Sequence, residues 1–139
     1  MRIRIICIIA LITSCTNGIE FKSIKYDDLL CDGNSKIWLI DKMIVDKVSV
    51  GPYHAVDKEL MIFYNSGRID VITMKYLGER LPKTGNYVVD SDEKILYMYF
   101  TGEVHKFGMK EIADDSVYLV PFKESQEGIS LRIIPFPEL

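Results

Sequence analysis

From residue 36 onward the chain alternates short apolar runs with clusters of turn-forming residues. The runs are Ile37 to Val45, Leu60 to Tyr64, Arg68 to Tyr76, Gly85 to Asp90, Ile95 to Thr101, Glu103 to Ile112, Ser116 to Phe122 and Ile129 to Phe136. Each is rich in β-branched and aromatic residues, and none carries a helical period. Several alternate strictly. Ile129, Leu131 and Ile133 interleave with Ser130 and Arg132, and Ile69 and Val71 interleave with Arg68 and Asp70. Alternation places one face of a strand in a core and the other in water. Asn65-Ser66-Gly67 between two such runs predicts a tight hairpin, with glycine supplying a positive φ. Pro121, inside a run, marks a bulge or an edge position. The pattern predicts an all-β domain over 36–139. Its expected form is an eight-stranded antiparallel up-and-down barrel or a closely related sandwich.

Upstream the pattern changes. Residues 1–15 read MRIRIICIIALITSC, with two arginines and then an unbroken apolar run from Ile5 to Ile12. Eight apolar residues fall well short of the ~20 needed to cross a bilayer, but they fit the core of a secretory signal. Ile12-Thr13-Ser14-Cys15 resembles the bacterial lipobox. The resemblance implies that 1–14 is a cleaved signal peptide and that Cys15 becomes the lipidated first residue. Residues 15–35 then form a tether, in which Tyr26 to Leu30 can make one helical turn and Asp32 to Ser35 a loop. A single acidic residue, Glu20, follows closely after Cys15. An acidic cluster there would direct such proteins to the outer surface, so a periplasm-facing anchor is expected.

Composition narrows the function classes. The chain has 139 residues, 48% of them hydrophobic, and a formal charge of −3. Removing the first 14 leaves 125 residues with 15 basic and 20 acidic side chains. That is enough for one cored domain, and it lacks the basic footprint that nucleic acid or a polybasic membrane patch would need. Cys31 is the one cysteine left in the body of the mature chain. It cannot form an internal disulfide, and a buried, inert thiol is expected.

Candidate catalytic chemistry is sparse. His54 and His105 have no metal-ligand spacing between them or with Cys31. No serine sits in a nucleophile-elbow pattern, and no glycine-rich phosphate loop occurs. The acidic pairs at Asp27-Asp28, Asp90/Asp92 and Asp114-Asp115 fall in turns, where aspartate caps the backbone. No enzyme activity, metal or cofactor is expected. The aromatic residues offer more. Tyr97 and Tyr99 share one face of a predicted strand, and Met98 and Phe100 share the other.

Trp38 in KIWLI, Phe63-Tyr64-Asn65-Ser66-Gly67, Thr84-Gly85-Asn86-Tyr87, Val117-Tyr118-Leu119 and Ile129-Ser130-Leu131 follow one another after the lipobox. In this order the chain resembles the small lipocalin-like lipoproteins of Bacteroides-type bacteria. The resemblance implies a lipid-anchored barrel of the cell envelope, on the outer rather than the inner membrane, holding a small apolar ligand. Trp38, Tyr97, Tyr99 and Phe107 are the candidate lining residues, with Trp38 also a candidate structural plug. The alternative is a protein-interaction module without a ligand cavity, such as an envelope-assembly subunit or an immunity lipoprotein. A carrier needs a cavity of roughly 300 Å³ or more. An interaction module shows an exposed apolar patch instead.

Overall fold

The computed structural model describes residues 25–45, 48–51, 54–122 and 128–137. The signal segment and Cys15 lie outside the described residues. One short helix, α1 (Tyr26–Cys31), precedes nine strands: β1 (Ser35–Val45), β2 (Val48–Val50), β3 (Glu59–Tyr64), β4 (Arg68–Thr73), β5 (Lys83–Asp90), β6 (Ile95–Phe100), β7 (Glu103–Ala113), β8 (Ser116–Pro121) and β9 (Ile129–Pro135). Strands β3 to β9 pair antiparallel in chain order, and β9 returns to pair with β1. Eight strands thereby form a closed antiparallel barrel, as the spacing of apolar runs predicts.

Closure depends on the length and bend of β1. Trp38 and Leu39 pair with β3 across one edge and with β9 across the other. Beyond a bulge at Asp41, the same strand continues along β9 from Lys42 to Val45. The ninth strand, β2, is a three-residue piece that pairs with Met43, Ile44 and Val45. Those residues already pair with β9, so β2 occupies the edge that β3 uses further up. A bulge strengthens twist and bends a strand, which lets one long strand close a barrel.

Alternation fixes what points inward. Trp38 and Ile40 of β1, Met61 and Phe63 of β3, Ile69 of β4 and Tyr87 of β5 are buried in one core. Leu96 and Met98 of β6, Phe107 and Met109 of β7, Val117 and Leu119 of β8, and Leu131 and Ile133 of β9 complete it. The outward parity of β3 and β4 places Leu60 opposite Ile72, a buried pair outside that cluster.

The two ends of the barrel differ. At one end α1 lies against β1, β3 and β5 and inserts Leu30 and Cys31 into the core. Trp38 Nε1 donates to the Leu30 carbonyl at 2.8 Å, so the indole spends its one polar atom on the helix that covers it. Tyr87 packs edge-on against Phe63 and donates its hydroxyl to the Tyr64 carbonyl at 2.7 Å. Burial, with Cys31 beside it, pushes the Tyr87 hydroxyl far above the usual phenol range. At the other end lie the 3₁₀ turns Ala55–Asp57 and Met74–Tyr76, next to Glu59 and its partner Thr73.

Three elements differ from the sequence pattern. The helical turn expected at Tyr26 to Leu30 is present as α1, but Leu30 and Cys31 pack into the core while Asp27 and Asp28 stay exposed. The run from Arg68 stops as a strand at Thr73, and Met74–Tyr76 form a 3₁₀ turn. Val48–Val50 is an added strand, too short for an alternation signal. Pro121 is the last residue of β8, a terminal position that spares the ladder its missing N–H.

Candidate functional site

The barrel mouth forms where the inward parity of seven strands continues from the core toward the open rim. Strand β1 supplies Ile40 and Met43, β3 supplies Glu59 and Met61, and β4 supplies Val71. Strand β5 supplies Lys83, β6 supplies Met98 and Phe100, β7 supplies His105 and Phe107, and β9 supplies Ile129 and Leu131. Together they enclose about 220 Å³. The floor is apolar, and polar groups are confined to the rim. That layout matches small-molecule sites in general, where apolar walls bind and a few polar groups orient. The volume lies below the ~300–1,000 Å³ usual for drug-sized ligands. It thus falls short of the roughly 300 Å³ expected of a carrier, and has room at most for a very small molecule or one end of a longer one.

The rim is a linked set of charges. Lys83 Nζ lies 2.6 Å from Glu103 Oε2, and the same oxygen lies 3.3 Å from His105 Nε2. The hydrogen bond from Lys83, with a smaller contribution from His105, holds the Glu103 carboxyl below the usual carboxylate range. Lys83 also stands over the Phe100 ring at 4.7 Å, and the His105 ring lies parallel to that of Phe107. His105 is directly opposite Met98 in the ladder between β6 and β7. His105 thus belongs to the mouth, whereas its neighbours in sequence give it no such role.

The candidate lining residues separate. Phe107 lines the mouth. Trp38 is fully buried at the closed end, beneath α1, and does not reach the cavity. Tyr97 and Tyr99 face outward, because Leu96, Met98 and Phe100 take the inward parity of β6. Their rings lie parallel, 9° apart in plane and 6.4 Å between centroids. Lys106 stands 5.4 Å above Tyr97 and 3.7 Å above Phe122. The residues that sequence reasoning missed are the methionines, His105 and Lys83. Parity with Phe107 and Phe100 marks His105 and Met98 on their own strands, but Met43 and Met61, on β1 and β3, join them only once the barrel closes.

Two other surfaces stand out. Val88 opposes Tyr97 and Val104 opposes Tyr99 on the outside of β5, β6 and β7, and Val88, Tyr99 and Val104 are exposed. A wider groove of about 730 Å³ runs outside the barrel between Tyr26, Ile95, Gly108 and Val120. It is bordered by Glu93, Lys94, Lys110 and Glu111, and Met109, Ile112, Pro121 and Phe122 add to its apolar lining. Among the described residues no group of three or more His, Cys, Asp or Glu could hold a metal. His54 is exposed, and Cys31 is buried beside Tyr87 at the closed end. Comparison with protein families, with curated proteins and with solved structures finds no match to this chain.

Proposed function

We propose that this chain is a lipid-anchored protein of the bacterial cell envelope, without enzymatic activity, whose barrel mouth binds a small apolar ligand. The observation that carries the binding half is the cavity floored by Met61, Met98, Phe107 and Leu131 and rimmed by Glu59, Lys83 and His105. A lipocalin-like domain works in this way, with one end plugged and the other open to ligand. The anchoring half rests on the sequence Met1 to Cys15 alone. Acylation there would face the domain toward the periplasm from the outer membrane.

The binding test is titration with N-phenyl-1-naphthylamine, whose fluorescence rises on entering an apolar site. Wild type is expected to bind one equivalent. Ile129→Trp, which fills the mouth from a half-buried position, is expected to lose that binding while keeping its unfolding midpoint. Equal binding by both proteins places the dye elsewhere and overturns the reading. For the anchor, Cys15→Ala is expected to abolish incorporation of labelled fatty acid and membrane fractionation. Retention of both would refute it.

A second reading is favoured by the exposed strip of Val88, Tyr99 and Val104 beside Tyr97. Aromatic and aliphatic side chains on a flat sheet face suit a protein partner. In that reading the chain is an interaction module, an envelope-assembly subunit or an immunity lipoprotein. Val104→Lys with Tyr99→Lys would then abolish partner recovery and leave dye binding unchanged.

A further inference from the structure

The rim of the mouth carries one charge that nothing balances. Glu59 shares the inward parity of Met61 and Phe63 on β3, so it stands at the rim end of an apolar wall and borders the cavity. Its carboxylate makes no ion pair among the described residues. The charges around it are already matched. Lys58 pairs with Asp41 at 3.2 Å, and Lys75 pairs with Asp57 at 2.7 Å. Lys83, the ammonium that lines the cavity, pairs with Glu103 at 2.6 Å, and His105 meets the same carboxylate.

Glu59 is exposed, and an exposed carboxylate is ordinarily left to water. Its place over an apolar cavity changes that. A ligand whose tail enters the cavity brings its head to the rim and displaces water from Glu59. An anionic head would crowd Glu59 and could reach an ammonium only by taking Lys83 from Glu103. A neutral head would leave Glu59 partly desolvated without compensation. An ammonium head meets the carboxylate with a charge-assisted hydrogen bond. The tail has little room, since the cavity holds about 220 Å³. Ile40, Met43, Val71, Phe107, Ile129 and Leu131 offer it no polar group. A second ammonium among them would be buried unpaired, at a high cost. The ligand therefore carries one positive charge, at one end.

We infer that the mouth takes a small amine with a single apolar tail, its ammonium against the Glu59 carboxylate and its tail between Ile40, Met43, Phe107 and Ile129. The inference rests on the apolar-ligand reading and adds to it the charge of the head group.

The test is titration of the full chain with n-hexylammonium, 1-hexanol and hexanoate, which differ in the charge of the head. The chain is held in digitonin, whose rigid steroid body is too large for the cavity. Carbon-13 labels on isoleucine and methionine methyl groups report the site. Ile129 and Met43 line it, whereas Met74 lies in the 3₁₀ turn after β4. Hexylammonium is expected to shift the signals of Ile129 and Met43 and to leave that of Met74 in place. It is expected to bind at least about threefold more tightly than hexanol, a modest factor because water screens an ion pair at the rim. Hexanoate is expected to bind more weakly than hexanol. Glu59→Gln is expected to bring hexylammonium down to the affinity of hexanol, with hexanol binding and the circular dichroism spectrum unchanged. Equal affinity for the three compounds, or a Glu59→Gln variant that keeps its preference for hexylammonium, would overturn the inference and leave the apolar-ligand reading standing. Absence of a shift with all three would overturn the inference, and N-phenyl-1-naphthylamine binding by the same sample then shows whether that reading falls with it.

Discussion

At the scale of single residues, two side chains show how the barrel is held. Trp38 fills the closed end with no exposed surface and ties its indole N–H to α1. Trp38→Ala is expected to cost about 3–5 kcal/mol, since it removes a large buried side chain and leaves a cavity. Denaturant unfolding measures this. A loss below about 1 kcal/mol would contradict the burial. Asp41 works differently. It is the bulge residue of β1, and its carboxylate takes Lys58 Nζ at 3.2 Å and Arg132 Nη1 at 2.7 Å. Burial by itself would raise the pKa of Asp41, but Lys58 and then Arg132 more than offset it, so the carboxyl titrates below its ordinary 3.8. A carboxyl lowered in the folded state adds stability that is whole above its unfolded pKa and disappears as pH falls through the folded one. Asp41→Asn is therefore expected to destabilise the protein at neutral pH and to lessen the loss of stability in the acid range below about pH 4. Parallel stability curves for the two proteins through that range would contradict this.

At the scale of elements, two glycines separate two causes of intolerance. Gly67, in the turn between β3 and β4, has φ of 85° and nothing closer than 3.7 Å to an added Cβ. Gly67→Ala is expected to cost about 1–2 kcal/mol of backbone strain alone. Gly85 in β5 has no such φ, but a Cβ there would collide with the Tyr99 carbonyl oxygen and lie 2.7 Å from Phe100 Cδ1. A backbone atom cannot swing aside as a side-chain tip can, so Gly85→Ala is expected to cost at least as much and to disturb β6 and the mouth beside it. Chemical shifts of Phe100 and Met98 report that disturbance, and their constancy would contradict it. The same scale shows what was legible in sequence. Period-two alternation marks Ile129 to Ile133 and the hairpin at Asn65 to Gly67, because both signals are local. Alternation is silent on α1. Leu30 and Cys31 enter the core through a distant pairing, in which the Trp38 indole N–H, eight positions on from Leu30, donates to the Leu30 carbonyl. Val48–Val50 is too short to alternate, and Met74–Tyr76 leaves the sheet although its residues continue the polar–apolar pattern.

At the scale of the whole molecule, closure makes the site. Pairing of β1 with β9 removes two edges that would otherwise invite association, and it turns one face of every strand into an interior. Among the described residues that interior is filled at the α1 end and holds a cavity at the other, so fold and site are parts of one arrangement. The apolar runs foretell the barrel, but the site needs parity counted across the closed ladder. For that reason Phe107 was identifiable as a lining residue, whereas Tyr97 and Tyr99, sited on the same pair of strands, face outward. His105 and the three methionines join the site only once β1 and β3 stand across from β6 and β7.

The central claim is that this mouth holds a small ligand in the cell. Native mass spectrometry of the protein drawn from its own envelope in mild detergent tests it most directly. The account predicts a non-covalent adduct of one small molecule or ion on wild type that is absent from Ile129→Trp. A wild-type chain without any adduct, or the same adduct on both proteins, would contradict it.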